Sequence, residues 1–247
     1  MEFRYTEYNP EDQHFRDIKC DGGTMPDDGL DQPNYALIDL FGTGIPDIVE
    51  SRGDGYIYWE NRGNYKLKTP RALNNAPKGI TFEQPGVGLG TLHGNGLADM
   101  IINVGGKWGY FEATCEGGWK KFKPLDLRNR IDPSDSNLRF MDLTGDGLTD
   151  AVKLQEDRII YLQCLGEEGF SEPIEVRRQN EKESLPLGYT FSTIKNLMLA
   201  DMTGDGLKDI VLIRDKDISY WPNMGYGRFG KRINMKDSPS LGPFDPG

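Results

Sequence analysis

The sequence predicts an all-β fold, a β-propeller of four tandem blades, on three observations. A nine-residue loop rich in Gly and Asp recurs four times; a short β-branched run follows each loop; an aromatic, alternating strand follows each run. The loops are Asp39-Leu-Phe-Gly-Thr-Gly-Ile-Pro-Asp47, Thr91-Leu-His-Gly-Asn-Gly-Leu-Ala-Asp99, Asp142-Leu-Thr-Gly-Asp-Gly-Leu-Thr-Asp150 and Asp201-Met-Thr-Gly-Asp-Gly-Leu-Lys-Asp209. Their closing aspartates lie 52, 51 and 59 residues apart. A unit of about 50 residues holding three or four short antiparallel strands buries its faces only against neighbouring units. The array is therefore expected to close as a four-bladed ring or to form part of a larger propeller.

In chain order, residues 1–33 form an N-terminal segment that leads into the first blade or lends it a strand, and residues 34–247 form the four-blade array. Apolar residues run into the loops at Ala36-Leu37-Ile38, Leu138 to Met141 and Leu197 to Ala200. The closing Asp opens runs such as Ile48-Val49 and Ile210-Val211-Leu212. Beyond a Gly- and Asp-rich turn come Tyr56-Ile57-Tyr58-Trp59, Trp108-Gly109-Tyr110-Phe111, Ile159-Ile160-Tyr161-Leu162 and Ile218-Ser219-Tyr220-Trp221. A further Gly-containing turn carries one more aromatic, at Tyr65, Trp119, Phe170 or Phe229. Period-2 strands between Gly, Asp and Asn turns are hairpin text. The aromatics are read first as packing between blades. The polar stretch 171–196 lengthens the third period and is expected to be a surface loop insertion.

The 29 basic and 39 acidic residues give a formal charge of −10, and such a surface repels phosphate backbones. Nucleic acid is not an expected partner. Cys20, Cys115 and Cys164 are too few and too scattered for a disulfide framework or a Cys-based metal site, so they read as small apolar fillers. No run reaches the length of a membrane span, and Met1 to Pro10 does not read as a signal peptide. If the protein is secreted, another segment or a dedicated exporter is expected to send it.

The third and fourth loops place oxygen side chains at alternate positions: Asp142, Thr144, Asp146 and Asp150, then Asp201, Thr203, Asp205 and Asp209. Alternate carboxylates around a sharp glycine turn can converge on one hard cation, and Ca2+ is the expected ion. An EF-hand is excluded, because its closing Glu would fall where the chain has Lys153 and Leu212. The competing reading is a set of Asx-type turns whose carboxylates cap backbone N–H groups without metal. The first two loops keep the glycines and the final Asp but lose the oxygen pattern, and they read as turns without metal. His93 could replace an oxygen ligand, but it reads first as a surface histidine in such a turn.

Nothing points to catalysis. The two histidines, His14 and His93, have no partner pattern of a metal pair or of a nucleophile's base. No G-x-S-x-G elbow, P-loop or H-E-x-x-H helix occurs, and Gly86-Val-Gly88-Leu-Gly90 neither leaves a clear strand nor opens a helix. The carboxylates repeat with the blades, which marks them as architecture. The expectation is a non-enzyme.

The loop consensus resembles the FG-GAP/VCBS propeller repeats of integrin α-subunit type. The fourth blade, Ala200-Asp-Met-Thr-Gly-Asp-Gly-Leu-Lys-Asp-Ile-Val-Leu212 followed by Tyr220-Trp-Pro-Asn-Met-Gly-Tyr-Gly-Arg-Phe-Gly230, closely resembles the SpvB/TcB family, the B component of bacterial insecticidal toxin complexes. Tyr58-Trp-Glu-Asn-Arg-Gly63 in the first blade is similar to sister blades of that family. The resemblance covers about residues 34–247. It implies a binding or scaffold propeller that docks on a pore-forming A component while B and C components enclose a toxic fragment. It also implies that a chain ending at Phe244-Asp-Pro-Gly247 is a fragment or a short homologue. The alternative function is a carbohydrate-binding propeller of FG-GAP lectin type. That reading asks for equivalent pocket residues in every blade, where Trp59 and Trp221 match but Phe111 and Leu162 do not. A third reading, an enzyme with its site in the central channel, is opposed by the scarcity of histidine.

Overall fold

The computed structural model describes residues 16–125, 135, 137–177 and 196–240. Four small four-stranded antiparallel sheets stand in a ring, the arrangement of a four-bladed β-propeller. A short strand, β1 (Lys19–Cys20), precedes them. Blade 1 contains β2 (Tyr35–Ile38), β3 (Asp47–Arg52), β4 (Gly55–Trp59) and, after the two-residue β5 (Lys66–Leu67), β6 (Arg71–Ala72). Blade 2 is built of β7 (Val87–Gly90), β8 (Asp99–Val104), β9 (Lys107–Ala113) and β10 (Trp119–Pro124). Blade 3 holds β11 (Leu138–Met141), β12 (Asp150–Leu154), β13 (Arg158–Leu162) and β14 (Ile174–Arg177). Blade 4 holds β15 (Leu197–Ala200), β16 (Asp209–Arg214), β17 (Asp217–Trp221) and β18 (Ile233–Asn234). Strand β1 lies parallel to β5, beside blade 1.

Register is the same in every blade. The residue before each loop pairs with the closing Asp: Ile38 with Asp47, Gly90 with Asp99, Met141 with Asp150 and Ala200 with Asp209. Because side chains alternate across a strand, this one register sends alternate residues to opposite faces of all four sheets. One face looks back to the preceding blade and the other looks forward to the next. Met100 and Ile102 of β8 look back and pack with Val49 and Tyr56 of blade 1, whereas Ile101 looks forward. Val152 and Leu154 of blade 3 look forward and pack with Ile210 and Leu212 of blade 4.

Buried apolar clusters seal three junctions. Blades 1 and 2 share Val49, Tyr56, Met100, Ile102 and Trp119. Blades 2 and 3 share Leu92, Ile101, Tyr110 and Cys164, with Phe140 against them. Blades 3 and 4 share a third cluster, which includes Leu143, Ile159, Leu212 and Trp221. Small residues let the innermost strands approach: a Cβ on Gly88 would lie 2.6 Å from the Phe140 ring. Hydrogen bonds cross the second junction both ways, from Thr91 N to Thr149 Oγ1 and from Thr149 N to Thr91 O, each 2.8 Å. Among the described residues no buried cluster joins blade 4 to blade 1.

Two local expectations change. In the first blade the bridging residue equivalent to Phe170 and Phe229 is Leu67, which is buried, while Tyr65 is 53% exposed. Each bridge spans six residues, Asn61 to Leu67, Cys164 to Phe170 and Asn223 to Phe229, and that spacing places Tyr65 inside the turn at φ 63°. The stretch read as a loop insertion begins with strand β14, which pairs with β13. Val176 turns onto the cluster between blades 3 and 4, and its charged neighbours face outward. Residues 178–195, with most of that insertion, lie outside the described residues, as does His14.

Candidate functional site

The four Gly-Asp loops occupy equivalent places, each joining the first strand of its blade to the second. The first-position aspartate caps its own turn. Asp39 accepts N–H bonds from Thr43 (2.9 Å) and Gly44 (2.6 Å), Asp142 from Gly145 (2.7 Å) and Gly147 (2.9 Å), and Asp201 from Gly204 (2.7 Å) and Gly206 (2.9 Å). The fifth position accepts an N–H two residues on: Thr43 from Ile45, Asn95 from Leu97, Asp146 from Leu148 and Asp205 from Leu207. These are Asx- and ST-type turns.

The closing aspartate reaches further. Asp47, Asp99, Asp150 and Asp209 are essentially fully buried. In each, Oδ2 accepts the N–H of the second loop residue (Leu40, Leu92, Leu143, Met202) at 2.8–3.1 Å. Oδ1 accepts the N–H fourteen residues on (Asn61, Ala113, Cys164, Asn223) at 2.7–2.8 Å. One carboxylate thus ties the loop to the end of the third strand, and it does so four times. The fourteen-residue spacing is constant in the sequence and is the signal from which this staple could have been read. Burial pushes the Asp47 and Asp150 carboxyls above the usual carboxylate range, and the N–H bonds offset part of that shift. Asp201 is held below that range by the N–H groups of its turn, Gly206 first. At Asp39 burial works against ionisation, but the bonds from Thr43, Gly44, Phe41 and Gly42 outweigh it and lower the value.

The eight residues expected to bind calcium divide between these roles. Thr144 is buried and donates its hydroxyl to Asp150 at 3.1 Å, and Asp146 also accepts from Gln163 Nε2 at 3.0 Å. Thr203 and Asp205 are exposed. Among the described residues no three Asp, Glu, His or Cys side chains gather as a metal-binding group. In both loops the first and fifth positions are turned onto backbone N–H groups of their own turn.

His93 is not a free surface histidine. It takes the third loop position, where Thr144 sits in blade 3, and its side chain is 15% exposed. Its Nδ1 lies 2.9 Å from Asp99 Oδ2 and its Nε2 3.4 Å from the Tyr110 hydroxyl. A histidine can stand in for the loop threonine because the buried carboxylate behind it supplies a partner.

Surface chemistry is concentrated elsewhere. Met224 and Tyr226, both 62% exposed, protrude from the last turn of blade 4. On the face of blade 1 away from blade 2, Leu37, Ile45 and Tyr65 line an apolar groove of about 450 Å³ together with Ile18 and Leu30. Trp59 and Trp221 are only 2% and 3% exposed, so neither offers a face for stacking.

With this geometry in view, the comparison that decides the fold is with a toxin. The chain is similar to a chain of the Photorhabdus luminescens Tc holotoxin pore, at 24% identity and a TM-score of 0.64, over 86% of its own residues. The likeness is one of fold. A second similar structure is an Agrocybe aegerita lectin that recognises non-reducing terminal N-acetylglucosamine, at 20% identity and a TM-score of 0.50 over 83% of this chain. The chain spans about a tenth of the length of the Tc chain and about half of the lectin. No family model matches the sequence. No curated protein matches it either.

Proposed function

We propose that this chain is a non-catalytic propeller module that binds protein within a bacterial toxin complex, as the propeller region of an SpvB/TcB-like B component. The observation that carries the proposal is the fourth-blade string from Ala200 to Gly230, joined to a backbone similar to part of the Tc holotoxin. The resemblance of the loops to FG-GAP/VCBS repeats supports it, since their polar side chains are spent on holding the blade and leave recognition to the exposed surface. Met224 and Tyr226 suit such a surface, because large unbranched and aromatic side chains dominate protein-docking patches. The partners proposed are the pore-forming A component and the C component, met outside the producing cell.

The test is binding of the immobilised chain to a purified pore-forming component. The expected result is saturable binding that weakens roughly tenfold or more when Met224 and Tyr226 are both changed to Ser. Absence of binding, together with capture of glycans ending in N-acetylglucosamine, would overturn the proposal in favour of the carbohydrate reading.

A further inference from the structure

Resting on the protein-docking role proposed above, we infer that Met224 and Tyr226 anchor a basic segment of the partner protein, with an arginine of that segment stacked on the Tyr226 ring. All four blades carry the same turn after their third strand. It runs from Asn61 to Leu67, from Ala113 to Trp119, from Cys164 to Phe170 and from Asn223 to Phe229. Blades 1 and 4 build it alike: Asn61 Oδ1 accepts the N–H of Gly63 and Asn223 Oδ1 that of Gly225, both at 2.9 Å.

Three residues into the turn stand Asn64, Glu116, Glu167 and Tyr226, all exposed. Polar side chains meet the needs of the turn in the other three blades, so an aromatic here serves nothing that repeats. It also sits at a disfavoured backbone. Tyr226 has φ 52° where Asn64 has φ 49°, and the left-handed region suits asparagine but strains a tyrosine. The glycines beside it are pressed onto blade 3: a Cβ on Gly225 would lie 3.0 Å from the Thr144 carbonyl oxygen, and one on Gly227 2.8 Å from Val176 Cγ2. Met224 and Tyr226 are left to point outward from a turn that cannot sink further, and side chains on so fixed a backbone have less freedom to lose on binding.

Charge selects the occupant. Two loops are tied to this turn, the third through Gly225 against Thr144 and the fourth through the bond from Asn223 N to Asp209. They expose Asp146, Asp201 and Asp205, and the equivalent turn of blade 3 adds Glu167 and Glu168 at the same end of the propeller. Facing these carboxylates are Lys208 and Arg228, while Arg177, beside Val176, is taken up by Glu175. An exposed ring with carboxylates around it favours a cation over a neutral or acidic group. The chain itself makes this pairing elsewhere: the Arg16 guanidinium lies 5.4 Å from the centre of the exposed Tyr65 ring, and that of Arg232 lies 5.6 Å from Trp221. Among the described residues no cation covers Tyr226.

The experiment titrates the 247-residue chain with three short labelled peptides in which leucine alternates with arginine, with lysine or with serine. Two variants accompany the parent: Tyr226→Leu keeps apolar bulk without an aromatic face, and Tyr226→Asn installs the residue of blade 1. The arginine peptide is expected to bind the parent about 2–5-fold more tightly than either variant, the gain of one exposed cation–ring contact. It is also expected to bind the parent more tightly than the lysine peptide, because a flat guanidinium stacks on a ring and an ammonium does not. Tyr226→Asn is expected to melt at or above the parent temperature, so that its loss of binding is not a loss of fold. Equal binding of the arginine peptide to all three proteins would overturn the inference, since only the general negative field would then be at work. A serine peptide that binds as tightly as the arginine peptide would overturn the basic partner. The toxin reading is scored apart from this: a pore-forming component that binds the chain while the arginine peptide ignores Tyr226 upholds that reading and sinks this one, and the converse gives the site a basic partner of another kind.

Discussion

Changing Asp150 to alanine is expected to destabilise the chain by roughly 3–5 kcal/mol, a large share of the ~5–15 kcal/mol that holds a typical domain folded. The buried carboxylate accepts the N–H groups of Leu143, Thr144 and Cys164 and the Thr144 hydroxyl. Alanine leaves three backbone donors inside the protein without an acceptor, each worth about 1–3 kcal/mol before relaxation and water entry reduce the sum. Part of the loss is returned, because burial disfavours the Asp150 charge that is removed. Asparagine discriminates this account from a purely electrostatic one. Its single oxygen can serve the three donors at Oδ2, with its amide turned toward Cys164 N, so it should cost only about 1–3 kcal/mol. Urea unfolding of the two variants against the parent measures both values. Equal losses would show that charge matters here and acceptor count does not.

The second large effect is expected at the junction between blades 3 and 4. Leu212 is fully buried among side chains of both blades, including Leu154, Ile159 and Trp221. Truncation to alanine removes apolar burial and leaves a cavity whose walls are two separate sheets, which costs about 2–5 kcal/mol. Because repeat units are stabilised by their neighbours, the loss should fall on both blades together and lower a single urea midpoint without splitting the transition. An early, separate transition for blade 4 would show that the junction does not couple them.

The blade plan was legible in the sequence because the loop text repeats. Once Asp47, Asp99, Asp150 and Asp209 are aligned, the alternation in Ile210-Val211-Leu212 and in Tyr56 to Trp59 fixes strands, register and faces. The chemistry of the loops was harder to read. Alternating oxygens in Asp142, Thr144 and Asp146 suit both a cation and a set of N–H groups, and composition does not say which way a carboxylate turns. His93 reads as a surface residue in the sequence because nothing there marks its partner, Asp99, as buried. Tyr65, the aromatic of the first blade's turn, does not take the place of Phe170 and Phe229, because Leu67 satisfies the six-residue spacing of the bridge.

The closing aspartates hold all four loops through hydrogen bonds that the fold itself supplies. Amide hydrogen exchange tests it most directly, followed at the N–H groups of Leu40, Leu92, Leu143 and Met202 and of Asn61, Ala113, Cys164 and Asn223. The account expects all eight to exchange at least about a hundredfold more slowly than free amides, with the same rates in millimolar calcium and in chelator, because each is held by a buried carboxylate that belongs to the fold. Protection that appears in blades 3 and 4 only when calcium is added would contradict it, and would make those two loops metal sites on which the propeller depends.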